Sequence, residues 1–162
     1  MTTLKNRITK WRNLSLAEQG SVLLLTLLLP LCALLLHGLG FKRCSEFLDS
    51  LSRRIRRYSK RKPVDLVQAR RMAWLVAITA RFGPYRAACL VRSLTLQFLL
   101  RCRGLDCQLR IGARHNDGQF EAHAWVVFNG QVINDQADVE SRFSVFQPAP
   151  KFDQSVSEIS KG

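Results

Sequence analysis

The stretch Phe120-Glu121-Ala122-His123-Ala124-Trp125-Val126-Val127-Phe128-Asn129-Gly130-Gln131-Val132-Ile133-Asn134-Asp135 decides the fold. Its first half alternates and is rich in aromatic and β-branched residues, the pattern of a strand. Asn129-Gly130 signals a turn, and the residues after it read as the returning strand. His123 and Asp135 are thereby placed on paired strands. Register decides whether they meet, because a one-residue slip moves a side chain to the other face. A two-residue turn pairs Ala124 with Asp135 and puts the carboxylate on the face opposite the imidazole, which turns attention to Asn134. A three-residue loop of Phe128-Asn129-Gly130, with Gly130 left-handed in a G1 bulge, pairs His123 with Asp135. The odd-length loop is the expectation.

Upstream, Cys89 follows the helix-breaking pair Gly83-Pro84 and opens a run that reads as helix through Cys102. A thiol at a helix N-terminus faces unpaired backbone N–H groups, which favour the thiolate. Cysteine, histidine and aspartate then stand in the order that thiol chemistry uses for nucleophile, base and orienting carboxylate. Singly, each has a plainer reading as a core thiol, a satisfied core histidine or a turn aspartate. The conjunction points to catalysis. Trp125 shields the Cys–His pair or belongs to the core, and Arg92 and Ser93 lie close enough to Cys89 in sequence to touch substrate, partner or backbone.

With those residues stated, the region from about residue 82 to 140 resembles the transglutaminase-like cysteine peptidases of lasso-peptide biosynthesis, the B or B2 proteins. The resemblance is carried by Cys89-Leu90-Val91-Arg92-Ser93-Leu94, Leu99-Leu100-Arg101-Cys102-Arg103-Gly104, Leu109-Arg110-Ile111-Gly112, Phe120–Val126 and Gly130–Asp135. It implies an α+β fold, a transglutaminase or papain-like core in which a nucleophile helix packs on a small antiparallel sheet, preceded by an N-terminal helical region. It also implies a peptidase that removes the leader from a ribosomally made precursor. Its nucleophile falls on Cys89, its base on His123 and its carboxylate on Asp135; Trp125 and Arg92 are the candidates for substrate contact beside them. No cofactor is implied. The implied partners are the leader peptide, a separate B1-type leader-recognition protein and an ATP-dependent lasso cyclase. Alternatives are a transamidase on the same fold and a non-catalytic, membrane-associated interaction protein.

The chain has 162 residues, 47% of them hydrophobic, which suits one catalytic domain and a helical appendage. The expected division is 1–62 for a hydrophobic helical region and basic linker, 63–146 for the peptidase domain and 147–162 for a loose tail. Twenty-five basic against 12 acidic residues give a net charge of +13, so an anionic partner is expected, such as an acidic peptide or a membrane surface. Nucleic acid is disfavoured, since the basic run Arg53–Lys62 brings only Tyr58 and no binding module. Five cysteines without a C-x-x-C form no disulfide framework, and a reduced thiol fits the cytoplasm. No metal-ligand spacing is present.

Ser15-Leu16-Ala17-Glu18 is a capping box that starts a helix. Residues 19–41 carry no acid, lysine or arginine and are long enough to cross a bilayer, against which stand Pro30, His37, Gly38 and Gly40. They read as buried or partner-facing helix or as membrane-associated. A signal peptide lacks its cleavage site. Pro63 opens the next helix, Val64 to Phe82, whose expected buried stripe is Val67, Met72, Trp74, Leu75, Ile78 and Phe82. Leu105, Cys107, Leu109 and Ile111 alternate with polar residues as a half-buried strand.

Overall fold

The computed structural model of the protein describes residues 16–58, 64–83, 87–116 and 119–145. Ser15, Pro63, Pro84, the loop residues Asp117 and Gly118, and the expected tail 147–162 lie outside them. The fold is α+β. Three helices, α1 (Leu16–Tyr58), α2 (Leu66–Phe82) and α3 (Cys89–Cys102), precede four strands, β1 (Gln108–Asn116), β2 (Gln119–Phe128), β3 (Gln131–Val132) and β4 (Ser144–Val145). A single turn of helix, α4 (Val139–Arg142), lies between β3 and β4. The strands form one antiparallel sheet in the order β3-β2-β1-β4.

Helix α3 is the centre of the packing. Val91, Ser93, Leu94, Thr95, Leu96, Gln97, Phe98 and Leu100 are all buried, so the helix is covered on every side. α1, α2, β1 and β2 all pack on it. The β2 face bearing Ala124, Val126 and Phe128 joins the main core with α3, while Trp125 and Val127 on the opposite face pack with Val139 and Phe143. Both faces of β2 are therefore covered at Ala124–Val127. Fully burying each Leu94-type side chain stabilises by about 1.5–3 kcal/mol. Arg101 binds this centre together, donating to the Cys107 carbonyl and pairing with Asp49 of α1.

Two helical expectations change. In α2, Ala69, Ala73, Leu75, Val76, Thr79 and Ala80 form the buried face, while Val67, Trp74 and Phe82 are exposed. Of the expected stripe Leu75 is buried, and Ala69, Ala73, Val76, Thr79 and Ala80 complete the inner face. The helix also starts later than Pro63 implies: the Asp65 carboxylate accepts from the Gln68 N–H at 2.7 Å and caps it. The first part of α1, up to Phe41, is apolar and long enough to cross a membrane, and the helix is broken at the end of that part, at Gly40 (φ 75°, ψ 169°). Only glycine adopts that conformation without strain. The break folds the chain back: the Cys32 and Cys44 thiols interact with each other, whereas an unbroken helix would hold them roughly 18 Å apart along its axis.

Candidate active site

Cys89 is the first residue of α3, with Ala88 at the N-cap in an extended conformation (φ −63°, ψ 160°). Alanine supplies no capping side chain, so nothing from the cap competes for the N–H groups of the first turn, which have no intrahelical acceptor. The thiol is half-buried and lines a cavity of about 350 Å³. His123, Asp135 and Arg92 share that cavity wall with Arg70 and Trp74 of α2. The sequence-derived trio is thus brought together around one space.

His123 Nε2 lies 2.5 Å from Asp135 Oδ2, with both side chains more than three-quarters buried. A carboxylate only accepts, so Nε2 carries the hydrogen and Nδ1 is left with its lone pair. Asp135 is held in turn. Its Oδ1 accepts from the Gln136 N–H at 2.7 Å and faces Arg142 at 3.7 Å. Behind the imidazole stand Phe143 and Trp125, with ring centroids at 5.1 and 6.2 Å. Gly112 is the β1 partner of His123, and a Cβ there would come within 2.9 Å of both the Trp125 ring and the Ser144 carbonyl. That glycine keeps room for the aromatic backing.

The turn contradicts the expected odd-length loop. Phe128 pairs with Gln131 and Val127 with Val132 around a two-residue turn, and Asn129 and Gly130 both have positive φ (48° and 74°), as a type I′ turn requires. Asp135 nonetheless meets His123. The reason is that the returning strand stops at Val132. The Ile133 N–H still donates to the Val126 carbonyl at 2.9 Å. The Val126 N–H, however, is taken at 2.8 Å by the side-chain oxygen of Asn134 instead of a ladder carbonyl. The chain bends out of the sheet there, and the pleat no longer dictates where Asp135 points. The Asn134 to which the even register directs attention is the residue that makes the bend.

Asn134 also reaches the nucleophile helix. Its Nδ2 donates to Ser93 Oγ at 2.9 Å, and the Ser93 hydroxyl donates to the Ala124 carbonyl at 2.8 Å. Ser93 is fully buried and lies one turn after Cys89, Ala124 adjoins His123, and Asn134 adjoins Asp135. One hydroxyl and one amide therefore tie together the three segments that carry the trio. Of the contacts open to Ser93 in the sequence, the structure shows the one to backbone, and Asn134 joins it. No local pattern reveals bonds between segments so far apart in sequence.

Residues 35–147 match the family described as the Transglutaminase-like superfamily, a segment that exceeds half of the chain and holds Cys89, His123 and Asp135. The chain belongs to that superfamily. Within it, the chain is similar to the microcin J25-processing protein McjB of Escherichia coli, 38% identical over 70 residues, which are 43% of this chain and 33% of that protein. The match spans about a third of the length of that curated relative. No solved structure matches. In this transglutaminase-like chain, Trp125 is fully buried, donates its indole N–H to Glu140 at 3.3 Å and is absent from the cavity wall. The expected substrate contact at Trp125 is corrected accordingly: it backs the histidine. Arg92 does line the cavity, with its Nε buried and unpartnered among the described residues. Burial pushes the Cys102 and Cys107 thiols up to about 11 and about 12, which keeps them protonated and inert near neutral pH. Among the described residues, no group of three or more His, Cys, Asp or Glu side chains gathers to hold a metal ion.

Proposed function

We propose that this protein is a cysteine peptidase that removes the leader from a ribosomally made lasso-peptide precursor. The carrying observation is the convergence of Cys89, at the first position of α3, with the hydrogen-bonded His123–Asp135 pair on one cavity. The similarity to a microcin J25-processing protein supplies the substrate class.

The roles follow from the atoms. His123 Nδ1 takes the Cys89 proton, and the thiolate attacks the peptide carbonyl to form a tetrahedral intermediate. The Cys89 backbone N–H, at the uncapped helix start, donates to the developing oxyanion. Protonated His123 then gives its proton to the leaving amine, and the carbonyl remains as a thioester. Water attacks that thioester with His123 as base, releasing the leader as a free acid and restoring the thiol. Asp135 holds the imidazole tautomer throughout and stabilises the imidazolium. Arg92 lines the cavity and adds a positive charge beside a bound substrate. The surplus positive charge suits an acidic leader or an acidic leader-recognition protein, with the core peptide passing to an ATP-dependent cyclase.

The test is mass spectrometry of a precursor peptide incubated with this protein and a leader-binding partner in ¹⁸O-labelled water. Leader carrying one labelled oxygen, formed by wild type and not by Cys89→Ala, is the expected result. Leader joined to an amine would assign transamidation instead. Equal release by Cys89→Ala would remove Cys89 from the chemistry.

A further inference from the structure

The N-terminal arm of α1, ahead of the break at Gly40, has two unlike faces. Val22, Leu25, Leu29, Cys32 and Ala33 are buried in the main core. On the outside, every exposed side chain between residues 21 and 36 is a leucine: Leu23, Leu24, Leu27, Leu31 and Leu34, which are 52–72% exposed. No charged residue occurs between Glu18 and Lys42. Beyond the break, exposed Lys42, Arg43, Arg53, Arg54, Arg56 and Arg57 follow on the same element.

We infer that the leucine face seats this protein in the plane of an anionic lipid membrane without crossing it. Crossing is opposed by the inner face: a spanning helix would pull Val22, Leu25 and Leu29 out of the core they share with α3. The break at Gly40 falls at the end of the apolar run and separates the leucine face from the basic residues beyond it. A lipid occupant is favoured over a protein by the chemistry of the face. Protein interfaces are anchored by tryptophan, tyrosine and arginine, with leucine under-represented among their energetic centres, whereas acyl chains ask only for apolar area. Leucine alone, without a hydrogen-bonding group, fits the second. The exposed basic residues beyond Gly40 give the arm its attraction to anionic headgroups, within the field of a net charge of +13. This inference does not rest on the peptidase reading.

The test is flotation of the full chain with phosphatidylcholine vesicles and with phosphatidylcholine–phosphatidylglycerol vesicles, followed by alkaline carbonate extraction. Wild type is expected to float with the anionic vesicles and to be released by carbonate. The quadruple variant Leu23→Gln, Leu27→Gln, Leu31→Gln, Leu34→Gln should bind about tenfold less or weaker, with an unchanged circular dichroism melt. A second variant, Lys42→Gln with Arg43→Gln, keeps the leucine face and should weaken the preference for anionic vesicles. Resistance to carbonate would overturn the inference in favour of a span. Failure to float, or flotation undiminished in the quadruple variant, would overturn it as well. Self-association of a wild type that does not float, abolished by the same substitutions, would assign the face to a second copy of the chain.

Discussion

The end of the β2–β3 hairpin and the N-terminal arm of α1 are located in different ways. At the hairpin end, single polar atoms decide where the chain goes: the Asn134 oxygen replaces a ladder carbonyl, and its nitrogen reaches Ser93 on another element. On the α1 arm, many apolar side chains share the task, with an exposed ion pair between Glu18 and Arg71 of α2 at its outer end. A polar lock places one carboxylate within hydrogen-bond reach of one imidazole, whereas dispersed apolar packing places a helix and leaves its far face free for another use. The two regions should therefore answer substitution differently.

The largest effect belongs to Cys89→Ala, which should abolish leader release while leaving the melting temperature close to wild type, because the thiol is half-buried and makes no hydrogen bond among the described residues. Asp135→Asn comes next. It keeps the shape, but presents His123 with an amide, and should lower kcat by about 10²–10⁴-fold, with little change in KM in steady-state assays. Ser93→Ala leaves the Ala124 carbonyl without its donor and the Asn134 amide without its acceptor. Two orphaned buried groups cost about 2–4 kcal/mol together, to be read from urea denaturation, and kcat should fall further than loss of folded protein explains. Were Ser93→Ala destabilised but fully active per folded molecule, the lock would serve the fold and not the site.

A smaller effect depends on pH. Burial pushes the Cys107 thiol up to about 12, while an unfolded thiol titrates near 8.5. The unfolded chain therefore releases this proton first. The stabilisation is whole below about pH 8.5 and is lost as the pH rises toward 12, with about 1–2 kcal/mol gone by pH 10. Replacing Cys107 with alanine removes that increment of alkaline sensitivity, measured as the difference in denaturation midpoint between pH 8 and pH 10. The smallest effect is on the arm: Leu27→Gln, at an exposed position, should shift folding stability by no more than about 0.5 kcal/mol.

The same contrast explains what could be read from the sequence. Period-two alternation found β2, Asn129-Gly130 found the turn, and the position of Cys89 after a helix breaker found the start of α3, because each is a local preference repeated over several residues. The α1 arm was legible as apolar helix, but which leucines face inward follows from where α3 lies. The buried face of α2 is only partly legible for a related reason: large residues dominate a pattern, and Leu75 is buried as expected, yet Ala69, Ala73 and Ala80 are buried where Val67, Trp74 and Phe82 are exposed. Asp65 was an available signal, an N-cap residue type at the right place, that Pro63 obscured. The position of Asp135 was legible only as an identity. Its orientation depends on one side-chain amide ending a strand, and no periodicity encodes that event.

The most direct measurement is intact-protein mass spectrometry of a rapidly quenched reaction between the protein, its leader-recognition partner and a precursor peptide. A species heavier by the leader acyl group, mapped to Cys89 and absent from Cys89→Ala, is predicted. Leader release at the wild-type rate by Cys89→Ala would contradict the account.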